Sequence, residues 1–170
     1  MVYDYLVLHV LKNNESAVTP EQITKRLKTD MYWFVDGNGV RVTLKRLKDK
    51  GLVVRNDNGT FSITSKGLEH YENLNMKILG ELSPTEKILF EFLQTETKGY
   101  EEFVAFPLEG VAKKLNIPFK KCLDAAMRLA CKGKVLLGFQ QRSKGYQISL
   151  SFTEYAKLRS GMQIWRQDKV

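Results

Sequence analysis

The chain of 170 residues is 43% hydrophobic and 27% charged, a composition that excludes a disordered or fibrous protein. Its length admits one ordinary domain or two small ones and rules out a large multi-domain enzyme. Lys and Arg number 27 against 19 Asp and Glu, and the resulting charge of +8 favours polyanionic partners or anionic surfaces.

In chain order, one pattern occurs twice: three helical segments, two short β segments and a further helix. Tyr5, Leu6, Leu8, His9 and Leu11 mark the first helix, over 2–12, which Asn13-Asn14 ends. Thr19-Pro20-Glu21-Gln22 supplies an N-cap hydroxyl, a proline at the first helical position and a glutamine at N3, the start of a second helix bearing Ile23 and Leu27. A third helix is predicted over 40–50, since Val40, Leu44 and Leu47 fall at i, i+4 and i+7 and Gly51 suits a left-handed C-terminal cap. Residues 52–56 and 60–64 read as strands joined through Asp57-Asn58-Gly59, and a closing helix with Leu68, Tyr71 and Leu74 runs from Ser65 toward Gly80.

A second capping box, Ser83-Pro84-Thr85-Glu86, opens a helix expected to bury Ile88, Leu89, Phe92 and Leu93. The boundary is placed near Glu81, giving domains over 1–81 and 82–170. Pro107 begins a short helix with Val111, Ala112 and Leu115, and Asn116-Ile117-Pro118 turns the chain, because proline disfavours a helical residue before it. The next helix, over 119–131, aligns Phe119, Cys122, Leu123, Ala126, Leu129 and Ala130 on an apolar side, with Gly133 beyond its end. Strands over 135–139 and 146–150 and a last helix over 153–159 complete this half. The expected fold class is α+β and mostly helical, each domain having three helices, a β-hairpin and a closing helix.

The residues also carry a resemblance. Val111-Ala112-Lys113-Lys114-Leu115-Asn116-Ile117-Pro118, followed by 119–129 and Gly133-Lys134-Val135, resembles the helix, turn, recognition helix and first wing strand of the winged helix-turn-helix family. Leu44-Lys45-Arg46-Leu47-Lys48-Asp49-Lys50-Gly51-Leu52-Val53 is similar to the end of such a recognition helix entering its wing. Phe61-Ser62-Ile63-Thr64-Ser65-Lys66-Gly67-Leu68-Glu69 resembles the second wing strand and following helix common in bacterial and archaeal transcription regulators. Two tandem copies would cover nearly the whole chain. The first copy departs from the family over 28–39, where Met31-Tyr32-Trp33-Phe34-Val35 stands in place of a tight turn. Those apolar residues either extend the second helix into the core or form a dimer or partner surface on a loop.

The resemblance implies recognition helices that enter the DNA major groove and wings that approach phosphates. On the first such helix Arg41, Lys45 and Lys48 share a face opposite Leu44 and Leu47, with Val42 and Asp49 at its edge, and Arg41 lies near the helix start, where bidentate contact with guanine is favoured. The second keeps Lys120, Lys121, Asp124 and Arg128 away from its apolar side, and the wing turn adds Arg142 and Lys144. Residues 1–82 carry twelve basic and ten acidic groups, whereas 83–170 carry fifteen and nine, so the second module is expected to supply more electrostatic affinity.

Other chemistry is thinly supported. His9 and His70 are lone helix residues, and Glu101-Glu102 are adjacent and diverge on any regular element. Cys122 and Cys131 lack the paired spacing of a zinc site or disulfide framework; Cys122 reads as core, and Cys131 becomes a reactive thiol only if a cation lowers its pKa. No phosphate-cradling glycine loop or nucleophile elbow occurs, so neither enzyme activity nor a cofactor or metal is expected. No run approaches the ~20 apolar residues that a bilayer requires, and Met1-Val2-Tyr3-Asp4-Tyr5 lacks a charged leader; a cytoplasmic protein without membrane association is expected. Met162, Ile164 and Trp165 form an apolar tail that either docks on its own domain or mediates self-association or partner binding.

The function expected from these features is double-stranded DNA binding, as a transcription regulator or a mobile-element replication or maintenance factor. The alternative is a tandem winged-helix adaptor that binds protein partners, for which Val42, Met127 and Tyr32-Trp33-Phe34 would supply apolar contacts.

Overall fold

The structure, a computed structural model, describes the backbone of residues 1–167 and the side chains of residues 1–161. The side chains of Met162, Ile164 and Trp165 therefore lie outside the described residues. The chain is α+β, with eight helices and two small antiparallel sheets among the described residues, and it divides into two units, Met1–Gly80 and Glu81–Val170.

In the first unit, α1 (Val2–Lys12) is apolar nearly all round and buries Leu6, Val7 and Leu8 completely, as a helix surrounded by α2, α3 and α4 must. The capping box predicted at Thr19 forms: its hydroxyl accepts from Gln22 N at 3.2 Å while Gln22 Oε1 accepts from Thr19 N at 2.8 Å, starting α2 (Pro20–Thr29). α3 spans Gly37–Asp49, three residues earlier than the apolar spacing implies, because the Asp36 carboxylate accepts from Gly39 N at 2.6 Å and caps the new first turn. Past its end Gly51 sits at φ 70°, its N–H bonding Lys48 O and that of Leu52 bonding Leu47 O. The hairpin of β1 (Val53–Arg55) and β2 (Phe61–Ile63) follows, with a single bridge from Val18 to Phe61 beside it, and α4 (Ser65–Leu79) returns to pack on α1.

The segment 30–36 takes neither of its two expected forms whole. α2 stops at Thr29, and Met31, at φ 69°, occupies the left-handed position that glycine holds after α3. Phe34 and Val35 then turn into the core, while Met31 and Trp33 stay exposed.

The second unit repeats the order. α5 (Pro84–Thr97) starts from the Ser83 capping box, but its buried stripe is Glu86, Leu89, Leu93 and Thr97, and Ile88 is 48% exposed. A two-residue strand β3 (Phe106–Pro107), absent from the sequence expectation, pairs with β5 and leads into α6 (Leu108–Lys114). α7 (Phe119–Cys131) buries Cys122, Ala125, Ala126 and Leu129; Phe119, expected on that side, is 41% exposed. β4 (Val135–Gln140) and β5 (Gly145–Leu150) complete a sheet of order β3-β5-β4, and α8 (Phe152–Gln167) runs through Gly161 instead of stopping before it.

The internal repeat is close in register. Adding 82 to a residue number takes Val2 to Pro84, Gly37 to Phe119, Asp49 to Cys131, Gly51 to Gly133 and Val53 to Val135, which are matching element ends. Gly133, at φ 68°, repeats the two-bond cap of Gly51.

Candidate nucleic-acid interface

At 3.6 residues per turn, the buried positions Val40, Thr43, Leu44 and Leu47 turn Asn38, Val42, Lys45 and Asp49 to the centre of the outer face of α3. Val42, expected at the edge, is 56% exposed at that centre, and Arg41, Lys45 and Lys48 all lie to one side of it. Arg41 reaches α2, where its guanidinium donates to Glu21 Oε1 at 2.6 Å and holds that carboxyl below its usual range. α2 and α3 leave between them a cleft of about 540 Å³ lined by Glu21, Thr24, Lys25, Lys28, Gly37 and Arg41 among others. Lys25, Lys28 and Asn38 are thus parts of the surface that the sequence reading missed. The spacing of Glu21, Thr24, Lys25 and Lys28 at i, i+3, i+4 and i+7 was the available signal.

Arg46 faces the other way and pairs with the buried Asp4 of α1. Lys45 and Lys48 are exposed and have no ion pair among the described residues, and the same holds for Lys50 at the end of the helix and Arg55 in the hairpin.

In the second unit Lys120 and Lys121 are exposed on α7 and share a cleft of about 600 Å³ with Ser83, Thr85, Asp124 and Arg128. Arg128 is more withdrawn than its expected place on the outer face: its side chain is 22% exposed and bonds Asp124 Oδ2 at 2.9 Å. Arg142 and Lys144 are exposed at the turn between β4 and β5, where Lys144 takes φ 48°. The expected site residues of this unit therefore fall on two surfaces, α7 beside the start of α5 and the tip of the hairpin.

Ion pairing changes the electrostatic comparison of the units. Of the seven cations from Lys113 to Lys134, Lys113 pairs with Glu109, Lys114 with Glu96, Arg128 with Asp124, Lys132 with Glu86 and Lys134 with Glu154. Lys120 and Lys121 have no ion pair among the described residues, so the expected advantage of the second unit narrows at the surface that would meet a phosphate. Glu86 and Lys132 form the most buried of these pairs, with side chains 2% and 7% exposed and 2.8 Å apart. Burial alone would raise the Glu86 carboxyl, but Lys132 and the Ser83 N–H outweigh it and hold the group below its usual range.

Burial pushes the Cys122 thiol up to about 11 and the Cys131 thiol up to about 12, the latter despite Lys132 and Arg128, so no cation activates Cys131. His9 Nδ1 lies 2.9 Å from the Tyr71 hydroxyl, tying α1 to α4. Among the described residues no three His, Cys, Asp or Glu gather as a metal site, and no helix is long and apolar enough to cross a membrane. Comparison with protein-family models, curated proteins and solved structures finds no match to this chain.

Proposed function

We propose that the chain is a double-stranded DNA-binding protein of two winged helix-turn-helix modules, a transcription regulator or a mobile-element replication or maintenance factor. The observation that carries this reading is the correspondence of α3 and α7, each set after a shorter helix, each ending in the same glycine cap, and each presenting to solvent lysines that have no ion pair among the described residues. An α-helix fits the major groove, and cations on its exposed face meet the phosphates that border it. In the first module Arg41 would read guanine, Val42 a thymine methyl group, and Lys45 and Lys48 the backbone. In the second, Lys120 and Lys121 act from α7, and Arg142 and Lys144 hold phosphates from the wing. Two modules on one chain raise each other's effective concentration, so each can bind weakly alone.

Selection of bound sequences from random duplexes by the full chain tests the proposal. Enrichment of one or two short motifs supports it, and recovery of an unenriched pool refutes sequence selectivity. The exposed Trp33, Met31 and Val42 favour a second reading, the adaptor that binds protein. A stoichiometric protein partner whose capture fails on Trp33→Ala, together with no duplex binding, would establish that reading instead.

A further inference from the structure

The wing of the second unit carries an aromatic surface that reading duplex grooves leaves unused. Phe139 and Tyr146 stand directly opposite each other on β4 and β5, with ring centroids 5.2 Å apart and planes at 75°. Phe119, the first residue of α7, has its ring centroid 6.4 Å from that of Tyr146. Phe139 is 49% exposed and Phe119 is 41% exposed, so this packing leaves much of both rings in water. Arg142 and Lys144 occupy the turn just beyond Phe139, and both are exposed. Residues 133–151 contain no Asp or Glu.

Exposed rings beside two cations, on a hairpin with no Asp or Glu of its own, match a ligand that is flat, aromatic and anionic along its backbone; Glu109 lines the cleft beside Phe119, so the phosphates are placed at the hairpin turn. Duplex DNA does not offer its base faces, which are stacked inside it; its grooves show hydrogen-bonding edges that a phenyl ring cannot satisfy. We propose that Phe119, Phe139 and Tyr146 form a stacking platform for unpaired bases of a nucleic-acid strand, with Arg142 and Lys144 holding its phosphates. This rests on the DNA-binding reading and deepens it: the preferred substrate is a duplex with a single-stranded extension. Ring stacking is sequence-tolerant, so the extension is recognised as unpaired rather than by its sequence.

The test compares the full chain on three DNAs with one paired sequence: a dumbbell closed at both ends, a blunt duplex, and a duplex with a short single-stranded tail. The tailed duplex should bind about tenfold tighter than the dumbbell, within the range that base stacking on aromatic side chains supplies. Phe139→Ala should abolish that gain and leave dumbbell affinity unchanged. Phe139→Trp should keep the gain and add tryptophan fluorescence that the tailed DNA quenches and the dumbbell does not. If Phe139→Ala weakens all three DNAs equally, the ring belongs to the duplex surface and the platform is refuted while DNA binding stands. A gain already complete with the blunt duplex assigns the ligand to a terminal base pair and likewise overturns the proposal. Failure to bind any of the three overturns both readings.

Discussion

Replacing Glu86 by Gln keeps the shape of the side chain but leaves the Lys132 ammonium, 7% exposed, without its counter-charge. Removing one partner of a buried pair costs about 3–5 kcal/mol, because the remaining charge stays desolvated. At ~4–8 °C per kcal/mol for a unit of this size, the second unit's melting transition should fall by at least about 12 °C. Lys132→Met should cost less, since the Glu86 carboxylate keeps the Ser83 N–H at 2.6 Å. Glu86→Met combined with Lys132→Leu should recover most of the loss, as an apolar pair of similar volume often equals a buried ion pair. The linkage has a definite sign. Glu86 is held below its ordinary value near 4.5, so its contribution is present above 4.5 and lost as pH falls through the folded value; Glu86→Gln should remove that acid sensitivity. Urea unfolding followed by circular dichroism reads each variant as a midpoint shift at unchanged slope. A Glu86→Gln variant within about 1 kcal/mol of the parent, or a double variant as unstable as the summed singles, would refute this account of how α7 is anchored to α5.

Two further outcomes are expected of the first unit. A Cβ at Gly67 would lie 2.0 Å from the Leu52 carbonyl oxygen, so Gly67→Ala must displace backbone and should destabilise by about 3 kcal/mol in urea unfolding; a neutral result contradicts the packing of α4 on the hairpin. His9 is held below its ordinary value near 6.5, chiefly by burial, with Lys12 and Arg26 adding to the effect and Asp30 opposing it. Below pH 6.5 the unfolded chain therefore binds more protons, and stability should fall from pH 7.5 to pH 5; His9→Gln should flatten that profile, and an unchanged profile would rule His9 out as its source.

Much of the helical layout was legible because the signals are local. The Thr19 and Ser83 capping boxes and the glycines after Lys50 and Lys132 fix helix ends within a few residues of chain. What the sequence concealed depends on distant partners. The strand at Phe106 exists only through its pairing with Ile148, and Met31 closes α2 in a conformation its side chain does not advertise. The first turn of α3 lies ahead of the apolar spacing that begins at Val40 and depends on the Asp36 cap. The candidate surface was legible to the same degree. Helical spacing places Lys45, Lys48, Lys120 and Lys121 outside, but it could not reveal that Glu21, Asp4, Glu86 and Glu154 engage Arg41, Arg46, Lys132 and Lys134. A charge count along one segment overstates the free cations whenever their partners lie on another.

Six expected contact residues are exposed and have no ion pair among the described residues: Lys45, Lys48, Lys120, Lys121, Arg142 and Lys144. If all six meet phosphates, log affinity for duplex DNA should fall against log salt with a slope of about −5, and Lys45→Gln with Lys121→Gln should shrink that slope by about 2. Fluorescence anisotropy of a labelled duplex across a salt series gives both values. Affinity that ignores salt, or a doubly substituted chain that binds like the parent at every salt concentration, would contradict the claim that these helices meet DNA.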